Sequence, residues 1–147
     1  MTLARAHGKG QAATAFRLAV RVYWEDTDAA GIVFYANYLK FFERARTEWL
    51  RSLGFDQEQL RAEAGIAFVV AATAVRYRLP ARLDDMLDIT VRVVHLGQAS
   101  LEVTQEAWRG SDLLAEGTIR VGCVELGTFR PQRVPDDILS KIKNTKQ

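Results

Sequence analysis

The chain has 147 residues, 48% of them apolar and 26% charged, which fits one globular domain able to bury roughly 68–70% of its unfolded surface. No run approaches the length of about 18 apolar residues that a membrane-spanning helix needs. The one cysteine, Cys123, cannot form an internal bridge, and with two histidines it cannot fill the usual zinc ligand sets, so no metal is expected.

The formal net charge of +2 comes from the ends of the chain. Residues 1–17 carry Arg5, Lys9 and Arg17 with no acid, residues 130–147 are also basic, and the middle is net −4. No stretch gathers basic residues with interleaved aromatics, so a nucleic-acid partner is not expected. The first fifteen residues, MTLARAHGKGQAATA, lack both periodicity and the apolar stretch of a secretory signal. They predict a mobile leader (1–15) before a single domain (16–147). With no export signal and no cysteine pair, the cytoplasm is the default compartment. A transit peptide is the alternative.

From Phe16 the pattern alternates, with Phe16, Leu18, Val20, Val22 and Trp24 on one side and Arg17, Arg21 and Glu25 on the other, which predicts a first strand. A turn-rich loop, DTDAAG, follows. The period then becomes helical: Tyr38, Phe41, Phe42, Ala45, Trp49 and Leu53 recur every three or four residues. Asn37 suits the N-cap and Gly54 the C-terminal stop, giving one helix of about sixteen residues. Residues 56–64 read as a short second helix ended by Gly65.

Four strand-like runs follow, over 66–79, 87–96, 101–108 and 113–126, separated by turn-forming stretches at 80–85, 97–99 and 110–112. Short loops between consecutive strands imply antiparallel neighbours. Residues after Pro135 suit a small amphipathic helix. One apolar helix beside five strands predicts an α+β domain, an antiparallel sheet curled around the helix. The first half of 66–79 is apolar on both faces, so a partner subunit is expected to cover its outer face.

The absences narrow the chemistry. There is no G-x-S-x-G elbow, no phosphate-binding glycine loop and no dinucleotide fingerprint. His7 falls in the leader, leaving His95 as the domain's one histidine, placed near a strand end and partly solvated. What remains is the acidic turn Glu25-Asp26-Thr27-Asp28 immediately before the apolar Ile32-Val33-Phe34-Tyr35 and the aromatic helix. A polar turn that satisfies its own backbone explains these acids by composition alone. A carboxylate partly desolvated beside that apolar surface is a stronger base or nucleophile, and the helix start offers unpaired N–H groups and a positive dipole end. Such a pair suits acyl transfer. It suits thioesters best, because a thiol of pKa about 8.5 leaves without strong protonation.

Across VRVYWEDTDAAGIVFYANYLKFFERARTEWLRSLGF (20–55), with its D-x-D-x-x-G-I-V-x-x-x-N-Y core, the sequence resembles the hot-dog fold acyl-CoA thioesterases. More specifically, it is similar to the branch containing 4-hydroxybenzoyl-CoA thioesterase and the Tol-Pal-associated acyl-CoA thioesterase. The segments AFVV (67–70), PARLDDMLDI (80–89) and VGCVEL (121–126) share that likeness, which covers about residues 16–143. The resemblance implies a hot-dog fold, a five-stranded antiparallel sheet wrapped around one long central helix, assembled as a homodimer or homotetramer with active sites at the subunit interface. It implies Asp28 as catalytic nucleophile or general base and the Tyr35 backbone N–H as oxyanion donor. Gly31 would let the loop approach the thioester, and Val33, Phe34, Asn37 and Tyr38 would complete the substrate site. Relatives of the Tol-Pal type often carry histidine where this chain has Tyr35.

The remaining candidates have simpler explanations. Asp84 and Asp85 read as turn acids, Cys123 as a buried inert thiol, and Arg76, Arg78 and Arg82 as arginines on a solvated face. The expected function is hydrolysis of an acyl thioester to free acid and thiol, with no cofactor and with coenzyme A or an acyl carrier protein as the thiol carrier. A noncatalytic acyl-thioester binding or scaffolding module is the alternative, and a dehydratase would depend on His95. The acyl chain itself is not readable.

Overall fold

The computed structural model describes residues 15–145. All but Ala15 of the expected leader therefore lies outside the described residues. Five antiparallel strands form one sheet in the order β1-β3-β4-β5-β2. They are β1 (Phe16–Arg21), β2 (Ile66–Tyr77), β3 (Met86–Leu96), β4 (Ser100–Arg109) and β5 (Asp112–Glu125). The long helix α1 (Asn37–Ser52) lies on one face, with Tyr38, Phe41, Phe42, Ala45, Trp49 and Leu50 buried. Those positions are the three-and-four spacing of the sequence turned into one apolar stripe. Opposite them stand Leu87, Ile89, Val103, Ala115, Ile119 and Cys123, the inward members of strands whose side chains alternate. The expected α+β architecture and all four later strands are present.

Gly117 lets the sheet close onto the helix. A Cβ there would meet the Phe42 ring at 3.0 Å, so any larger residue would push the helix away from β5. The C-terminal helix α3 (Asp136–Thr145) buries Ile138, Leu139 and Ile142, as its amphipathic pattern requires. Between α1 and the sheet, Gln105 is fully buried and satisfied: its amide donates to the Phe42 and Thr90 carbonyls at 3.0 and 3.2 Å and accepts from Arg46 at 2.9 Å.

Several expectations need correction. The first strand ends at Arg21, not beyond Trp24, and Trp24 is 81% exposed on a 3-10 turn spanning Trp24–Asp26. The Asp26 carboxylate causes this by accepting the Tyr23 N–H at 2.8 Å, which folds the chain away from the sheet. Asn37 is not the N-cap; Ala36 takes that place with no side-chain cap, and the Asn37 N–H is already spent on the Phe34 carbonyl. Residues 56–64 are helical, but as one α turn (α2, Gln57–Gln59, capped by Asp56) running into a π turn (Leu60–Ala64) that Gly65 ends in a left-handed conformation. The face of β2 for which a partner subunit is expected is open among the described residues: β2 is an edge strand, and Val69 and Val70 are exposed.

Candidate active site

Between β1 and α1 the chain makes a tight hairpin. Thr27 and Val33 form an isolated antiparallel bridge, the Asp28 N–H donates to the Ile32 carbonyl at 2.9 Å, and the Gly31 N–H donates back to the Asp28 carbonyl at 3.0 Å. Gly31 takes φ +78°, a left-handed value that glycine adopts without strain. Its freedom therefore shapes the turn that holds Asp28.

The two aspartates divide the work by environment. Asp26 is 5% exposed and structural: besides ordering Tyr23, its carbonyl accepts from the Phe34 N–H (3.0 Å) and the Asn37 side-chain amide (2.9 Å). Asn37 thus ties the hairpin to the first turn of α1. Asp28 sits at the hairpin tip, exposed, with Oδ1 accepting the Ala30 N–H at 2.8 Å. Its Oδ2 has no partner among the described residues. The expected desolvation of Asp28 is not provided among the described residues; the buried acid of the cluster is Asp26, whose carboxylate folds back onto the Tyr23 N–H at the 3-10 turn, whereas Asp28 stands two residues on at the exposed tip.

At the helix start, the Tyr35 N–H donates to no group among the described residues, while its carbonyl accepts from the Tyr38 N–H (3.4 Å) and from the Tyr77 hydroxyl (3.1 Å). Tyr35 directly precedes the N-cap Ala36, so this uncommitted donor lies at the positive end of α1, just outside its first turn. Phe34 and Tyr35 are 44% and 61% exposed, whereas Val33 and Tyr38 lie in the core and can only back the site. Tyr35 meets Phe34 at a ring separation of 4.9 Å and Tyr77 edge-on at 6.0 Å, and Tyr38 packs on Tyr77 at 5.5 Å. Burial pushes the Tyr38 and Tyr77 hydroxyls above the usual tyrosine range, so both stay protonated at neutral pH.

Tyr77 is the residue that sequence reading missed. No local signal in the sequence shows that the end of β2 reaches the helix start. Tyr77→Phe removes the hydrogen bond that steadies the Tyr35 peptide. We expect a severalfold loss of kcat with little change in thermal stability, since a single part-exposed hydrogen bond contributes only about 0.5–1.5 kcal/mol. Steady-state kinetics beside a melting curve checks this.

Other candidates have structural roles. Asp84 adopts a left-handed φ of 72° in the 80–85 turn, and Asp85 accepts from the Arg82 N–H at 2.8 Å. Arg78 pairs with Glu116. Cys123 is buried, and burial raises its thiol above the usual range, so it is inert. His95 is exposed near the end of β3. Among the described residues, no cluster of His, Cys, Asp or Glu could hold a metal ion, and no helix is long and apolar enough to cross a membrane. A cavity of about 150 Å³ opens further along α1, bounded by Arg46, Trp49, Phe68, Val70 and Val121.

Residues 22–142, which include the hairpin, α1 and the whole sheet beyond β1, match the model of the thioesterase-like superfamily. The chain belongs to this superfamily. It is 42% identical over 131 residues to the acyl-CoA thioesterase YbgC of Haemophilus influenzae, covering 89% of this chain and 96% of that protein. The acyl-CoA thioester hydrolase YbgC of Escherichia coli O157:H7 is 45% identical over 131 residues, covering 88% and 97%. Among solved structures, a probable thioesterase from Bartonella henselae superposes with a TM-score of 0.79 at 32% identity, over 82% of this chain and 99% of that one. The hot-dog fold of these thioesterases is therefore the fold of this chain.

Proposed function

We propose that this thioesterase-like protein hydrolyses acyl-CoA thioesters, with Asp28 as nucleophile or general base and the Tyr35 N–H as oxyanion donor. The observation that carries the reading is the pair of uncommitted groups on one hairpin: an open oxygen on Asp28, held by its own turn, and an unspent amide at the start of α1. The thioester carbonyl oxygen would accept from the Tyr35 N–H, where the helix dipole favours the developing negative charge. Asp28 then either attacks the carbonyl carbon directly or takes a proton from the water that does. Collapse of the tetrahedral species breaks the carbon–sulfur bond, and the thiolate departs. On the direct route water then cleaves the mixed anhydride left on Asp28 and restores the carboxylate; on either route water supplies the oxygen of the free acid and the proton of the thiol. No metal or prosthetic group enters this scheme.

The names of the relatives support coenzyme A, rather than an acyl carrier protein, as the carrier. A homodimer or homotetramer belongs to the same reading. The exposed, apolar β2 edge offers an unpaired strand face, and a second copy against it would desolvate a site that is open in one chain. Gly31 and Phe34 border the open side of the hairpin, where the acyl thioester would lie.

Thiol release measured over a series of acyl-CoA chain lengths tests the proposal. Saturable, enzyme-dependent release with a preference among chain lengths is the expected result. Saturable acyl-CoA binding without release would instead make the protein a noncatalytic binding module.

A further inference from the structure

We infer that Arg109, at the end of β4, is a positioning residue for the Asp28 hairpin, acting through the 80–85 turn. The inference rests on the reading of Asp28 as the reacting carboxylate. The Arg109 guanidinium spans both ends of that turn: it donates to the Pro80 carbonyl at 3.2 Å and to the Asp85 carboxylate at 2.8 Å. Asp85 in turn accepts the Arg82 N–H at 2.8 Å, and the Asp85 N–H donates to the Arg82 carbonyl at 3.0 Å. The turn held in this way is the backing of the hairpin. The buried Ala81 offers its carbonyl to the Val33 N–H at 2.9 Å, and Arg82 forms an isolated bridge with Ile32. The Ile32 carbonyl is the acceptor that fixes the Asp28 N–H. Hydrogen bonds linked through the adjacent residues Ala81–Arg82 and Ile32–Val33 thus connect the guanidinium to the residue that carries the chemistry.

An isolated ion pair on a surface contributes little. This one differs because its two acceptors lie at opposite ends of one short turn, so a single planar group sets the distance between them. Burial alone would raise the Asp85 carboxyl, but Arg109 and the Arg82 N–H outweigh it and hold the group below the usual carboxylate range. The clamp is therefore ionised throughout the neutral range. Nothing in this network touches the position proposed for the acyl group, so its loss should act on geometry and leave binding nearly intact. Displacements of about 1 Å in a reacting group can cost up to about 10²-fold in rate.

The test compares Arg109→Met, Arg109→Lys and Asp85→Asn, each alone and in an Asp28→Asn background, by thiol-release kinetics and melting curves. Arg109→Met is expected to lower kcat about tenfold with KM within about twofold. Arg109→Lys, which keeps the charge and one donor, should recover part of the loss. Asp85→Asn, which keeps the side-chain shape, should reproduce the loss if Arg109→Met fails to fold. In the Asp28→Asn background none of the three should lower the residual rate further. Wild-type kcat in folded Arg109→Met and Asp85→Asn would overturn the inference, and so would an undiminished loss in the Asp28→Asn background, which would assign Arg109 to general stability. Near-normal turnover in Asp28→Asn alone would be a failure of the underlying site reading, visible before any Arg109 variant is made.

Discussion

Asp28→Asn should lower kcat for acyl-CoA hydrolysis by about 10²–10⁴-fold, the usual span for a removed base. That loss corresponds to about 2.7–5.5 kcal/mol of barrier. The variant is a clean probe because the structure separates the two roles of the side chain. Its Oδ1 accepts the Ala30 N–H and shapes the turn, a contact that the asparagine carbonyl can keep. Its Oδ2 has no partner among the described residues, and the charge and basicity lost there are what the chemistry needs. Melting temperature should therefore be unchanged and KM little altered. Asp26→Ala is the control with the opposite signature. Asp26 is buried and gives the Tyr23 N–H an acceptor, so its loss should weaken the fold and reduce activity only through the folded fraction. A folded Asp28→Asn enzyme releasing thiol at near the wild-type rate would remove Asp28 from the mechanism.

That contrast also marks what the sequence can and cannot reveal. The helical stripe from Tyr38 to Trp49 and the alternation through β3, β4 and β5 are periodic, and periodicity follows from burial on one face, so these elements were legible. The strand ending at Arg21 was not. Val22 and Trp24 continue the alternation, but the Asp26 carboxylate competes for the Tyr23 N–H and breaks the strand, a contact that spacing does not display. Asn37 failed as a cap for a related reason: its side chain is spent on a carbonyl eleven residues back. At the site, Asp28 and Tyr35 are near neighbours in sequence and could be paired by reading alone, with the resemblance supplying their roles. Tyr77 and Arg109 could not, because they reach the hairpin only through sheet order. β2 runs beside β5, and its last residue meets the helix start; the end of β4 meets the 80–85 turn. The desolvation expected of Asp28 failed in one chain because desolvation belongs to the surface that covers a residue.

Phe42→Ala should cost about 3–5 kcal/mol, the range for emptying a fully buried aromatic site. Against a total stability of about 5–15 kcal/mol, this is the largest single loss expected from a side chain outside the site, and it should lower the melting temperature by about 6–20 °C. The site is severe because Phe42 is gripped from both sides. It sits on the buried stripe of α1, and its ring edge lies where a Cβ on Gly117 would stand, at 3.0 Å. Gly117→Ala alone should therefore cost about 1–3 kcal/mol by overpacking, because the Ala74 carbonyl and Ile119 close the other directions at 3.4 Å. The two sites must then couple. In a Phe42→Leu background the shorter side chain leaves room for the alanine methyl, and Gly117→Ala should become neutral or stabilising, a coupling of about 0.5–3 kcal/mol in a double-mutant cycle. Equal costs in both backgrounds would show that the ring does not determine how closely the sheet approaches the helix. Kinetics add a second discrimination. Phe42 lies about two turns along α1 from Tyr35, so the folded fraction of Phe42→Leu should keep its kcat while losing stability, the reverse of the Asp28→Asn pattern.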